Sequence, residues 1–323
     1  MSPQPFFSFV RPLAVVAFGG NALLPPDGDG TLAEQQRMAE EAARRLLPVL
    51  NRGYELIVVH GNGPQVGNIL IQVEESAERI PPQTLDVCVA QTQGSMGFLL
   101  ETALTNVLGS AGFSKEIVTI VTTVEVDAAD PAFLKPTKPI GPFFDRERAE
   151  ALAKSRGWSI VEDAGRGWRK VVASPRPKAI RNTEIVAWLV NRGKIVIAGG
   201  GGGVPVVFDD SGRMRGVEAV IDKDYVASLL AANLAADLFV VLTGVPQVYQ
   251  DYGKPTQKAL ASLDVAQARA LYDAGQFPKG SMGPKIDAAL KFVEAGGREV
   301  LITDAESLSA ALEGKTGTYV RKQ

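Results

Sequence analysis

Residues 55–64 read ELIVVHGNGP, an apolar run that ends in a glycine turn. The same grammar recurs along the chain. Leu13 to Phe18 is apolar and meets Gly19-Gly20-Asn21; Lys194 to Ala198 meets five glycines, Gly199 to Gly203; and Asp237 to Thr243 meets Gly244. Runs this apolar suit strands buried on both faces. Further strands are expected at Ile117 to Val124 and Glu299 to Thr303. Helix-period stretches lie between them. Thr31 to Arg52 places Ala39, Ala42, Ala43, Leu46 and Leu50 on one face, and Val226, Leu229, Leu230, Asn233 and Leu234 form a second pattern. Strands alternating with helices predict a mainly parallel sheet covered on both sides. In such a sheet ligands sit beyond the carboxyl ends of the strands, so the glycine turns should line one crevice. Glycine lets backbone approach an anion closely, and helix N-termini there offer unpaired N–H groups. Several such turns on one edge point to a multiply charged ligand, such as a nucleotide with a second anion.

Composition narrows the function classes. The chain has 323 residues, enough for a large core, with 34 basic and 36 acidic side chains and a net charge of −2. Nothing in that balance predicts a nucleic-acid partner. No stretch is apolar for long enough to span a membrane, and Met1 to Phe7 lacks the features of a secretion signal, so a cytoplasmic protein is expected. Cys88 is the only cysteine and sits in an apolar stretch, which reads as a small buried hydrophobe. His60 is the only histidine, so two-histidine metal sites are excluded. It ends an apolar run beside a glycine turn, and packing there is favoured over a role as catalytic base.

Residues 126–180 break the strand–helix rhythm. They hold Pro131, Pro136, Pro139, Pro142, Pro175 and Pro177, with Phe143, Phe144, Trp158 and Trp168. A segment of that length reads as an inserted subdomain over the crevice. Two common nucleotide fingerprints fail. Gly314-Lys315-Thr316 ends like a P-loop, but Ser309 stands where the upstream glycine belongs, and Gly61-Asn62-Gly63 is followed by Val66 where a dinucleotide fold needs a third glycine.

A set of motifs then carries a resemblance. Gly19 to Leu23, His60 to Asn68, Gln91 to Ser95, Pro136 to Pro142, Glu162 to Val172, Gly216 to Asp224, Leu242 to Val245 and Gly280 to Lys285 run in the order found in carbamate kinases, a branch of the amino-acid-kinase family. The blocks at Pro136–Pro142 and Glu162–Val172 resemble carbamate kinases in particular. The resemblance implies a three-layer α/β sandwich around a mainly parallel open sheet. It divides into an N-terminal lobe (1–125) on the carbamate side, an inserted lid (126–180) and a C-terminal lobe (181–323) on the nucleotide side. It implies reversible phosphoryl transfer between ATP and carbamate with Mg²⁺, and a homodimer. The expected direction is ATP formation in arginine or other nitrogen catabolism, with carbamoyl phosphate supply as the alternative.

By the same resemblance, Lys138, Lys223, Lys285 and Asp224 are the candidate catalytic residues. Gly19, Gly20, Asn21, Gly61, Asn62, Gly63, Gly199, Gly200 and Gly201 would hold carbamate or carbamoyl phosphate. Thr243, Gly244, Val245, Tyr249, Gly280, Ser281 and Met282 would hold the nucleotide, and Asp222 would help place magnesium. Asp222 and Asp224 are also expected to open a helix, where carboxylates suit the dipole. Lys285 is expected just before a helix over Ile286 to Glu294. Many relatives in the wider family carry a lysine before the first glycine pair; here it is Ala17, and Lys138 from the lid would replace its charge. Trp168 reads either as packing or as reaching the site through Arg166 or Lys170. Phe18 and Gly283 stand where carbamate kinases commonly have leucine. The rival readings are another amino-acid kinase, acting on acetylglutamate or uridylate, and a nucleotide-binding regulator without catalysis. The segment 126–180 and Ala17 argue against the first, and the three lysines against the second.

Overall fold

The apolar runs become the strands of one open sheet. A computed structural model of the chain describes residues 7, 9–19, 28, 30–163, 165–278 and 280–322. Its eight-stranded sheet comprises β1 (Leu13–Phe18), β2 (Glu55–His60), β3 (Ile117–Thr119), β4 (Ile195–Ile197), β5 (Leu238–Thr243), β6 (Ser262–Asp264), β7 (Glu299–Asp304) and β8 (Thr318–Arg321). Their order is β6-β8-β7-β5-β1-β2-β4-β3. Every neighbouring pair is parallel except β7–β8.

Side-chain alternation sorts the core into two layers. Val15, Ala17, Ile57, Val59 and Val196 face the helices Thr183–Asn191, Lys223–Asn233 and Met282–Glu294. Ala14, Val16, Leu56, Val58, Ile195 and Ile197 face Leu32–Asn51 and Leu85–Ser110. That is the expected sandwich of three layers. The first helix starts where the sequence suggests, because the Thr31 hydroxyl accepts from Glu34 N and caps it. Phe239 on β5 and Phe292 meet edge to face with ring centroids 5.6 Å apart. This contact fixes the helix that carries Lys285 against the middle of the sheet.

The run Ile117 to Val124, expected as one strand, is two. Ile117–Thr119 stays in the main sheet, whereas Thr123–Val126 joins a second sheet with Pro177–Ile180, Val204–Phe208 and Met214–Gly216. The break falls at Thr122, whose N–H and carbonyl are both taken by the side chain of Gln93, at 2.8 and 3.2 Å. The Gln93 side chain thus takes the Thr122 N–H from the main-sheet ladder, while the carbonyl also accepts from Val204 N–H at 2.8 Å and leads the chain into the second sheet.

Between the paired stems Thr123–Val126 and Pro177–Ile180 the chain leaves the body. It builds an antiparallel three-stranded sheet, Ser159–Glu162, Trp168–Val172 and Lys138–Phe144, with the helix Arg146–Arg156. This unit sits on the helix Gly63–Ser76 through Val66, Leu70, Ile140 and Val172. Glu74 of that helix receives three of its donors: Arg156 at 2.7 Å, Lys170 at 3.3 Å and Trp158 Nε1 at 3.0 Å. At the seam, Gly67 lies so close to the Gly141 backbone that a Cβ at position 67 would overlap it.

Candidate active site

Turns at the carboxyl ends of β1, β2 and β5, together with the Gly199–Gly203 turn beyond β4, meet the inserted unit and enclose a cavity of about 750 Å³. Gly19, Gly61, Asn62, Gly63 and Gly201 line one wall; Lys138, Asp222, Lys223, Asp224 and Lys285 line another; Thr243, Gly244, Gly280 and Ser281 complete it. The fold therefore brings together residues from six of the motifs and from the five-glycine run. Gly20 and Asn21 lie outside the described residues. Gly199 and Gly200 are buried beneath the wall rather than on it, and Val245, Tyr249 and Met282 are not among the lining residues. The ring of Tyr249 packs against Tyr252.

The charged wall is an alternating array. Lys138 Nζ donates to Asp222 Oδ2 at 2.6 Å, bridging the inserted unit and the body. Asp222 Oδ1 accepts from the N–H of Asp224 and caps the helix Lys223–Asn233, so one carboxylate ends a helix and holds a lysine. Asp224 is shared: Oδ1 accepts from Lys223 at 2.5 Å and Oδ2 from Lys285 at 2.9 Å. Burial alone would push both carboxyls up. Lys138 and Lys223 at Asp222, and Lys223 and Lys285 at Asp224, outweigh it and hold both below the ordinary carboxylate range. The two lysines on Asp224 then differ. Burial pushes Lys223 below the usual lysine value, with Lys285 beside it adding to the effect, whereas Asp224 overcomes burial at Lys285 and raises it. The wall carries three positive and two negative charges, a net cationic surface toward the cavity.

Lys285 does not precede its helix. The helix begins at Met282, so Lys285 lies in the first turn, after Pro284, where proline costs no hydrogen bond. Gly283 is confined there: its N–H donates to Pro278 O at 2.9 Å, and a Cβ would lie only 3.0 Å from that oxygen.

His60 is fully buried and absent from the cavity lining. Its Nδ1 lies 3.1 Å from Gly61 O, and a methyl at Gly200 would strike the ring. Burial pushes the imidazole down to about 4, so it is neutral at ordinary pH and packs under the glycine loop as expected. Cys88 is likewise buried.

Besides Lys138, the inserted unit reaches the cavity through Arg169, and of the residues around Trp168 neither Arg166 nor Lys170 lines it. Arg169 donates to Gly141 O at 3.0 Å and pairs with Asp163 at 3.1 Å. Lys170 instead reaches Glu74 and stacks on Trp158, and Arg166 lies over Phe143. Arg45 and Glu306, 3.4 Å apart, also line the cavity and carried no motif signal.

The comparisons with known proteins agree with this architecture. The family model described as "Amino acid kinase family" matches residues 12–304. A carbamate kinase of Thermococcus kodakarensis is 46% identical, the match covering 96% of this chain and 99% of that one. A carbamate kinase of Pyrococcus furiosus is also 46% identical, over 95% and 98%. Among solved structures, the carbamate kinase from Giardia lamblia bound to AMP-PNP superposes with a TM-score of 0.89 at 38% identity, covering 97% of this chain and 99% of that one. The chain belongs to the amino acid kinase family, in its carbamate kinase branch.

Proposed function

We propose that the chain catalyses ATP + carbamate = ADP + carbamoyl phosphate, with ATP formation as the working direction in nitrogen catabolism. The observation that carries this reading is the Lys138–Asp222 and Lys223–Asp224–Lys285 array facing a wall of glycine turns. Phosphoryl transfer needs alignment and neutralised charge more than covalent chemistry. Carbamate is already an anion, so its oxygen attacks the γ-phosphorus without losing a proton. The one histidine, neutral and outside the cavity, fits a reaction that needs no general base.

In this reading the backbone N–H groups of Asn62, Gly63 and Gly201 orient the acceptor, while that of Gly61 is held by Phe18 O at 2.8 Å and ties the turn to β1. Thr243, Gly244, Gly280 and Ser281 take the nucleotide phosphates. Lys285, at a helix N-terminus, adds the helix dipole to its own charge where the phosphoryl group passes. Asp224 keeps Lys223 and Lys285 aimed at one point, and Lys138 brings the third charge from the inserted unit. No cluster of three potential metal ligands occurs among the described residues. Two neighbouring carboxylates could help hold a magnesium ion brought by the nucleotide. Asp222, or Asp224, would help hold that ion, which would neutralise phosphate charge.

The decisive assay is ATP formation from ADP and carbamoyl phosphate, coupled to a hexokinase readout. Strong signal is expected. Absence of ATP from folded protein would overturn the reading in favour of a nucleotide-binding regulator.

A homodimer belongs to the same proposal. The helix Leu85–Ser110 exposes Val87, Gly94 and Phe98 on one face, with Phe98 65% exposed. A monomer mass by light scattering at micromolar protein would sink that part. Among the described residues no helix is long and apolar enough to cross a membrane. We place the enzyme in the cytoplasm, where its nucleotides are, without a nucleic-acid or membrane partner.

A further inference from the structure

The glycine wall poses a mechanical problem. Gly199, Gly201, Gly202 and Gly203 all have positive φ, at +66°, +65°, +89° and +77°. Glycine reaches such angles without strain but loses more conformational freedom than any other residue when fixed there. A run of five glycines has no side chains with which to anchor itself. Two bonds of its own, from the N–H groups of Gly202 to Gly199 O and of Gly203 to Gly200 O, both 3.0 Å, close the turn; what fixes that turn against the rest of the fold comes from outside the loop.

Two adjacent residues of the helix Leu85–Ser110 supply that hold, each through one intermediary. Thr92 Oγ1 accepts from Asn62 Nδ2 at 2.9 Å and donates to Val89 O at 2.6 Å. The Asn62 amide so fixed lies directly against Gly201, where a Cβ would collide with it. Gln93 clamps the Thr122 peptide at both ends, as described above, and Thr122 Oγ1 then accepts from the Gly199 N–H at 2.8 Å. Thr92, Gln93, Asn62 and Thr122 are all at most 3% exposed. Buried in low dielectric, these bonds are costly to break, because each loss strands a polar group.

We propose that Thr92 and Gln93 are positioning residues for the acceptor anion. Neither touches the cavity. Thr92 sets Asn62 against Gly201, and Gln93 sets Thr122 against Gly199, so the two fix the middle and the start of one anion-binding loop. The inference rests on the functional reading above, in which this wall takes carbamate or carbamoyl phosphate.

The test separates the two claims. In the ATP-forming assay, Thr92→Val keeps the side-chain volume and removes the hydroxyl, and Gln93→Met removes the amide. Each is expected to raise KM for carbamoyl phosphate about tenfold, the size of effect that one lost buried hydrogen bond produces. KM for ADP should stay within about twofold, since a nucleotide held at Thr243 and Gly280 does not use this loop. Thr92→Ser, which restores the hydroxyl, should return KM to the wild-type value; a role in packing alone would make Ser the worse variant, because it lacks the methyl. Carbamoyl phosphate and ADP constants that move together, or a Ser variant as impaired as Val, would overturn the inference. The Thr92 pair decides the matter even if Gln93→Met does not fold. Asn62→Ala is the control on the underlying reading: an unchanged KM for carbamoyl phosphate there would remove the acceptor from this wall and the inference with it.

Discussion

The two walls of the cavity are made on opposite plans. On one, Gly61 to Gly63 and Gly201 line the cavity with backbone, and the groups that hold them, Asn62, Thr92, Gln93 and Thr122, are neutral and buried. On the other, charged side chains line the cavity and hold one another, Asp224 between two lysines and Asp222 under a third. The contrast separates two kinds of fragility. A wall of amides is spoiled by adding an atom, because shape is all it offers. A wall of lysines is spoiled by removing a charge, because its geometry survives truncation.

The largest effect belongs to the charged wall. Lys285→Ala is expected to lower kcat by about 10²- to 10³-fold, the loss typical of one preorganised electrostatic donor, with a much smaller change in KM for ADP. Lys285→Arg should also be impaired, since a planar fork does not reproduce a compact ammonium between Asp224 and the phosphoryl group. Lys258, exposed on a short hairpin strand, is the control and should tolerate alanine. Equal small losses at both lysines in the coupled assay, with melting curves intact, would break the comparison.

On the amide wall the expected damage comes from a methyl group. Gly201→Ala forces a left-handed φ on an L-residue and drives its Cβ into Asn62, so KM for carbamoyl phosphate should rise by about tenfold or more. A normal KM would mean that the loop yields to added bulk, and the shape argument would fail. Gly67→Ala should act between the walls, by lifting the inserted unit from its seat and carrying Lys138 away from Asp222. About a fivefold fall in kcat with ADP binding intact is expected, readable by comparing turnover with calorimetric binding.

The smallest effect is one of stability. His60, pushed down to about 4 by burial, cannot take up the proton that the unfolded chain accepts near its ordinary pKa of 6.5. Its share of stability is therefore fully present above about 6.5 and drains away as pH falls toward 4. At pH 5 the loss amounts to roughly 2 kcal/mol, or about 3 °C in Tm. His60→Gln should show a correspondingly shallower fall in Tm between pH 7 and pH 5. Parallel slopes in the two proteins would show that the ring is not held neutral.

The strands that the sequence located best, β1 and β2, are those buried on both faces, where apolarity is continuous and ends only at the glycine turn. Ile117 to Val124 looked equally apolar but breaks at Thr122, because the cause lies 29 residues away in the Gln93 side chain and leaves no local trace. The helix start at Met282 was obscured by Gly283-Pro284, which read as a loop although proline is at home in a first turn. Arg169 shows a third limit. Strand alternation puts Trp168 and Lys170 on one face and Arg169 on the other, yet nothing local says which face meets the cavity. Charged residues flanked by glycine motifs were legible as a site; Thr92 and Gln93 stood in the motif Gln91 to Ser95 without a role, and Thr122 carried no signal, since buried polar side chains have no periodicity.

The seam between Gly67 and Gly141 carries a consequence for recombination. Position 67 has no room for a Cβ, and position 141, with φ +73°, disfavours any L-residue. The two sites lie 74 residues apart in sequence but behave as a single unit of inheritance. A chimera that takes its inserted segment from one relative and its helix Gly63–Ser76 from another inherits a close-fitting seam only if both donors kept glycine at their own half of it. Breakpoints for shuffled libraries are therefore better placed outside residues 63–172 than within them, so that the two halves of the contact always travel together.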